Sequence, residues 1–267
     1  YGANKKVTDY GGLEPRLNAR FEINSKSSVK ASYTYNLQYI HLASLSAVTL
    51  PTDTWVPCSE LVKPQKGNQY SLGYFRNFKD NTYEASVEVY YKTLLNQIEY
   101  KDGSLPAGDV NDNADNSFTF GKGEAYGIEF FLKKRLGKFN GWIGYTLSYT
   151  DRTFPQLNGG KTFYAKYDRR HDGSLVISYD FTKKWVFGCV WVYGTGNAIT
   201  IPVSYYYIDG NFVTEYGDRN SFRMPPYHRM DISATYTPDR TKKRERKKER
   251  LKLKYEKEGK DVNSMPD

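Results

Sequence analysis

Cysteine is almost missing from this chain: Cys58 and Cys189 are the two in 267 residues. They lie far apart in unlike contexts, which argues against a disulfide framework or a thiolate metal site. Long apolar runs are missing as well. No stretch approaches the roughly 18 consecutive apolar residues of a membrane-spanning helix, so a helical membrane protein is excluded. A spanning barrel is not, because its strands alternate lipid-facing and lumen-facing side chains and keep mean hydropathy low; here it is -0.73. No Met, basic n-region or apolar h-region precedes the pattern at Tyr1, so no targeting signal can be read, and a fragment or processed chain is expected.

Catalytic signatures are also lacking. There is no GxSxG, no Walker A loop and no GxGxxG opening a helix. His41, His171 and His228 each stand beside a strand end without HxxxH or HExxH spacing, which leaves zinc without support. DVNDNAD at 109–115 puts Asp109, Asn111, Asn113 and Asp115 at the odd positions of a calcium loop. The match fails at Ala114, where the sharp turn needs Gly, and at Phe120, where a bidentate Glu belongs; a polar surface loop is expected. GTGNA at 194–198 reads as a turn out of a strand rather than a phosphate cradle. Neither an enzyme nor a metal or cofactor site is expected.

What is present is aromatic and alternating. Tyr, Phe and Trp make up 16% of the residues in a chain that is polar on average, a combination that suits a wall with one greasy and one wet face. In YEASVEVYYKTLLNQIEY, residues Tyr83, Ala85, Val87, Val89, Tyr91, Thr93 and Leu95 share one face, with Glu84, Ser86, Glu88, Tyr90 and Lys92 opposite. SVKASYTYNLQYIH sets Val29, Ala31, Tyr33, Tyr35, Leu37 and Tyr39 against Lys30, Ser32, Thr34, Asn36 and Gln38. This is period two in β-forming residues. Further strands are expected at Leu13 to Ile23, Gln69 to Arg76, Glu124 to Arg135, Trp142 to Thr150, His171 to Tyr179, Trp185 to Gly194 and Arg229 to Tyr236. That makes about nine, many near the 9 to 11 residues that cross a bilayer at a tilt.

Connections alternate between two lengths. NSKSS at 24–28, FKDN at 78–81, LGKFN at 136–140 and DFTKK at 180–184 carry hairpin-turn residues. Residues 42–67, 101–120, 151–170 and 195–227 are long and rich in Gly, Asn, Pro and Tyr, which is unusual in an ordinary compact domain. Short turns at one end and long loops at the other are the pattern of an antiparallel up-and-down transmembrane β-barrel with periplasmic turns and extracellular loops. Phe78 with Tyr83, Phe139 with Trp142 and Phe181 with Trp185 flank three short turns, where aromatic rings suit a membrane interface. The same rings could instead plug the end of a soluble β-sandwich.

On this reading YDRRHDGSLVISYDF descends from the outer rim. Asp168, Arg170, Asp172, Ser174 and Ser178 are expected in the lumen, with Val176 an exception, and Leu175, Ile177, Tyr179 and Phe181 toward lipid. Arg169 and His171 are expected to point outward, near anionic headgroup phosphates. The cluster is a rim, not a catalytic centre.

Net charge is +9, and residues 239–261, with 12 Lys or Arg against 6 Asp or Glu, supply +6 of it. Such a run can bind nucleic acid or acidic lipid, but a solvated segment is the reading kept, and no nucleic-acid partner is expected.

NQYSLGYFRNFKDNTYEASVEVYYKTLLNQIEYKDG, the hairpin AYGIEFFLKKRLGKFNGWIGYTLSYT, FYAKYDRRHD and RMPPYHRMDISATY together resemble the C-terminal half of a TonB-dependent outer-membrane receptor barrel, over most of residues 10–237. The resemblance implies a wall of about 22 strands in the cell outer membrane, a plug inside it, and uptake of a scarce solute driven by the TonB energy-coupling complex. It also implies contact with outer-membrane lipid and lipopolysaccharide, and a surface lipoprotein as a further partner. Neither plug nor TonB-contact segment is expected within residues 1–267, because strand patterning begins near Leu13. About nine strands cannot close an even-numbered barrel and would leave two open edges. Residues 1–237 are therefore expected to be part of the wall, and 238–267 an enlarged periplasmic turn.

Ligand contacts are expected in the loops and at the lumen rim. Trp55, Tyr205, Tyr206, Tyr207 and Tyr216 offer rings that stack on sugars or flat chelates, and Arg223 a fork for carboxylate or phosphate. Asp168, Arg170 and Asp172 are the rim candidates. Competing readings are a passive porin, an adhesin barrel, or a soluble secreted carbohydrate-binding β-sandwich.

Overall fold

The computed structural model describes residues 8–43, 54–101, 114–238 and 240–257. In chain order, β1 (Arg16–Asn24) and β2 (Ser27–Gln38) are followed by a small hairpin of β3 (Ile40–Ala43) and β4 (Thr54–Pro57). Four long strands come next: β5 (Gln65–Phe78), β6 (Tyr83–Tyr100), β7 (Phe118–Lys134) and β8 (Phe139–Thr153). The short β9 (Phe163–Tyr164) precedes β10 (His171–Asp180) and β11 (Trp185–Gly194). Four short strands follow: β12 (Ala198–Ile199), β13 (Pro202–Ile208), β14 (Asn211–Tyr216) and β15 (Phe222–Arg223). The final strand β16 (Tyr227–Tyr236) leads into helix α1 (Arg240–Lys257).

Nine of these strands form one continuous antiparallel wall in the order β1-β2-β5-β6-β7-β8-β10-β11-β16, with β9 added beside β8. Chain order and spatial order agree throughout, so the wall is the expected meander. Among the described residues β1 and β16 each pair on one side only, and the barrel is not closed.

Alternation survives from strand to strand because register aligns it. Leu72, Val89, Ile128 and Leu147 lie directly opposite one another across β5 to β8. The next row, on the other face, is Gly73, Glu88, Glu129, Thr146, Asp172 and Gly194. The apolar face stays open to its surroundings, with Leu132 42% and Ile143 46% exposed. An apolar face of this extent has to be covered by something other than protein of this chain, and in a spanning wall that cover is lipid.

β5 to β8 run to 14, 18, 17 and 15 residues, longer than a tilted crossing needs. The excess lies at the long-loop end. In β6 the register shifts between Leu95 and Gln97, and Asn96 takes φ 56, a left-handed conformation that Asn tolerates. The bulge exchanges faces: Gln97 and Glu99 fall on the polar side, opposite Gly121 and Thr119. Simple alternation therefore ends at Leu95, although the strand continues to Tyr100.

All four short turns lie at one end. Lys79, Asp80 and Asn81 adopt left-handed φ in one of them. Phe78 stacks on Tyr83 with ring centres 5.4 Å apart, and Trp185 packs on Tyr236 at 4.9 Å. Phe139 shares the apolar face through its pairing with Tyr179. Trp142 does not: it pairs with Lys133 and Val176 on the polar face and packs on Phe131, one residue of parity away from the interface role expected of it. At Gly141, φ is 149 and a Cβ would come within 2.1 Å of the Val176 carbonyl oxygen, so this crossing of β8 and β10 requires glycine.

Candidate functional site

The packed core of this chain sits in the long-loop end, not in the wall. Ala43, Val56, Val62, Ile98, Tyr100 and Phe118 form one buried cluster, drawing together the β3–β4 hairpin and the extended tips of β6 and β7. Phe154, Leu157 and Phe163 form a second in the β8–β10 connection. Within the first lies fully buried His41. The Gln97 side-chain amide donates to Gln65 Oε1 at 3.0 Å, and the Gln65 amide nitrogen lies 2.8 Å from His41 Nδ1. His41 Nε2 is 3.4 Å from Cys58 Sγ. Burial holds the imidazole below its ordinary pKa, opposed by a hydrogen bond to the Lys63 backbone, and burial pushes the Cys58 thiol up. The pair is thus a neutral imidazole beside a protonated thiol, the opposite of an activated nucleophile.

Asp168 is the hub of the second region. Its carboxylate is fully buried and accepts from the Thr150 amide at 2.7 Å, from Arg170 at 3.3 Å and from Arg223 at 2.5 Å. Arg223 also donates to the Asp168 and Gly196 carbonyls. Arg170 lies 3.6 Å above the Tyr149 ring centre and 5.2 Å from that of Tyr164. Asp151 brings a second carboxylate within electrostatic reach of Arg170, and the two ring faces add to the stabilisation of its guanidinium. This knot ties the β8–β10 and β11–β16 connections to the wall. A second tie runs from Arg219 to Glu99 at 3.5 Å. Burial raises the Glu99 carboxyl above its usual range, against the pull of Arg219, Lys166 and Arg152. Asn220 completes the tie, donating its side-chain amide to the Tyr164 carbonyl.

Between the wall and these loops opens a cleft of about 370 Å³ on the polar side of β10, β11 and β16. Arg169 and Asp172, paired at 3.6 Å, form one side, with Asn197, Met224 and Tyr227 on the other. A floor of paired strands, a charged pair and a large tyrosine make it able to hold a small polar solute.

The family model described as TonB dependent receptor-like, beta-barrel matches residues 1–253. The chain belongs to the TonB-dependent receptor β-barrel family. It is accordingly part of an outer-membrane barrel wall, in a family of transport receptors rather than enzymes. Among curated proteins none matches. Solved structures of similar fold include the ferripyoverdine receptor of the outer membrane of Pseudomonas aeruginosa, with TM-score 0.57 and 19% identity over 89% of this chain and 28% of that one. The ferric-catecholate import receptor Fiu of E. coli K12 gives 0.54 and 15%, over 84% and 28%. The FrpB iron transporter of Neisseria meningitidis gives 0.54 and 13%, over 85% and 32%. The chain thus spans less than a third of each.

In a TonB-dependent receptor barrel the long-loop end faces outward and the short turns face the periplasm, which places the knot and cleft on the cell exterior. Of the residues expected there, Asp168, Arg170 and Arg223 come together, and Asp172 lies a short way off with Arg169. The expected sides of the two arginines are exchanged. Arg170 stacks on Tyr149, a member of the apolar column through Tyr126, while Arg169 joins Asp172 on the polar side. Regular strand pairing begins only at His171, so extrapolating alternation upstream of it gives the wrong parity. Tyr205, Tyr206 and Tyr207 lie on β13 and Tyr216 on β14, all exposed on one hairpin. Trp55 is exposed on the separate β4. Of the calcium-like stretch, 109–113 lies outside the described residues, and Asp115 accepts from the Ser59 hydroxyl at 2.5 Å. Sequence reasoning missed Glu99, Arg219 and the burial of His41; none carries a local motif, and each matters through a partner 17 or more residues away, whereas Arg169, expected toward the headgroups, is held by Asp172 three positions on.

Proposed function

We propose that the full-length protein is a receptor that captures a scarce solute with its extracellular loops and imports it with TonB-coupled energy. The observation that carries this is a polar-lined, apolar-backed wall of the receptor family whose loops are packed into a built outer surface. The capture surface combines the cleft at Arg169, Asp172 and Tyr227 with the exposed rings of Trp55, Tyr205, Tyr206, Tyr207 and Tyr216. Asp168, Arg170 and Arg223 support it from beneath, because their charges are paired with one another. Flat, anionic iron chelates are the first solutes to test, since aromatic faces and a guanidinium suit them and the structural neighbours are named for ferripyoverdine, ferric catecholate or iron. Lipopolysaccharide would surround the outer rim, a surface lipoprotein could cap the tyrosine hairpin, and residues 238–267 would form an enlarged periplasmic turn after the wall of 1–237.

The experiment is uptake of radio-iron chelates by cells carrying the full-length gene, with and without a proton-gradient uncoupler. Saturable uptake that the uncoupler abolishes supports the proposal. Entry that persists without the gradient would make the barrel a passive pore.

A further inference from the structure

Charge is polarised along the barrel axis. Helix α1 carries 11 Lys or Arg and three Glu in 18 residues. It starts four positions after Tyr236, the last residue of β16, whose ring packs on Trp185 at the short-turn end. The turns beside it have the same sign: residues 25–26, 79–82, 135–138 and 181–184 hold six basic residues and one acidic. Lys26, Lys79, Lys138, Lys183 and Lys184 are all exposed. Lys134 lies 6.0 Å from the Tyr83 ring centre and 5.5 Å from that of Phe139, which holds cationic charge at the level of the aromatic belt. At the opposite end, connections 39–64, 101–117, 154–170 and 195–226 together carry a net −2.

We infer that α1 and the short-turn rim form one cationic surface that docks on the anionic phospholipid headgroups of the leaflet facing the periplasm. Several observations converge on lipid as the occupant. A helix tethered so closely to the end of a wall strand begins at headgroup depth, and juxtamembrane clusters of Lys and Arg are drawn to anionic headgroups there. The turn lysines around the rest of the rim can meet the same planar surface only if that surface is the membrane. Insertion is ruled out by the absence of an apolar face: Leu251 and Tyr255 share one side, whereas Leu253 lies on another and is 53% exposed. A helix of this kind lies on a bilayer by electrostatics instead of entering it as an amphipathic anchor does. Its formation needs no membrane, since Lys, Arg, Glu and Leu are strong helix formers and no Gly or Pro interrupts 240–257. The inference rests on family membership and not on the solute.

The test places the full-length receptor, with Cys58→Ser and Cys189→Ser, in nanodiscs and reads the mobility of a spin label at Leu253→Cys. Phosphatidylcholine discs are compared with discs containing phosphatidylglycerol. The expected result is a label slowed only in the phosphatidylglycerol discs and released by added salt, because screening shortens the reach of surface charge. Replacing Arg250, Lys252 and Lys257 by Gln should lower the ratio of bound to free helix by about fivefold per charge, with the heat-induced gel shift of the barrel unchanged. Equal mobility in the two discs overturns the inference. So does a label slowed only when soluble peptidoglycan fragments or nucleic acid are added, either of which would make that polymer the partner.

Discussion

Asp168 shows how a residue can belong to a functional region without being available to a ligand. Its carboxylate binds an amide and two arginines from three segments. Asp168→Asn would leave two guanidiniums without their counter-charge, and removal of one partner from a buried pair costs about 3–5 kcal/mol. The expected outcome is rapid protease cleavage within 154–170 and 195–226 on intact cells, with the wall still resistant to denaturation by detergent at room temperature. His41 gives a pH dependence whose sign follows from burial. Its folded pKa lies below the ordinary 6.5, so the opened hairpin takes up a proton that the packed one refuses. Stability is complete above pH 6.5 and declines as pH falls below it. Hydrogen exchange at the amides of β4 should therefore quicken on acidification, and His41→Gln should abolish that dependence. Exchange that stays flat across this range would remove the argument.

The elements divide into two kinds. Wall strands owe their existence to pairing and to a solvent on each side; loop elements owe theirs to small buried clusters. Gly141 belongs to the first kind: Gly141→Val should push β8 off β10 at the Val176 carbonyl and lower the yield of folded barrel severalfold, read by the heat-induced gel shift. The β13–β14 hairpin belongs to neither, because its residues are exposed on both strands apart from Val213 and Thr214. Replacing 202–216 with a short Gly-Ser linker should leave that gel shift unchanged, yet weaken chelate binding by tenfold or more if the tyrosines stack on the solute. Unchanged binding would confine capture to the cleft beneath.

At the level of the molecule, the wall formed by the described residues is open along β1 and β16. Unpaired backbone groups in hydrocarbon each cost several kcal/mol, so residues 1–267 expressed alone should aggregate instead of inserting, and should insert only when the strands of the full-length polypeptide complete the ring. Density-gradient flotation with lipid vesicles distinguishes the two outcomes.

Alternation along single strands, with turn chemistry at fixed intervals, was enough to determine the two-faced meander and its nine crossings, because both signals are local: each depends on which way successive Cβ atoms point. Tertiary structure alone decided the outer surface. The bulge at Asn96, the seating of Arg170 on Tyr149, and the convergence of Asp168 with Arg223 all depend on contacts between segments far apart in the chain. Where regular pairing stops, parity is no longer inherited from the neighbouring residue, and the burial of charge is settled by whichever distant partner can neutralise it.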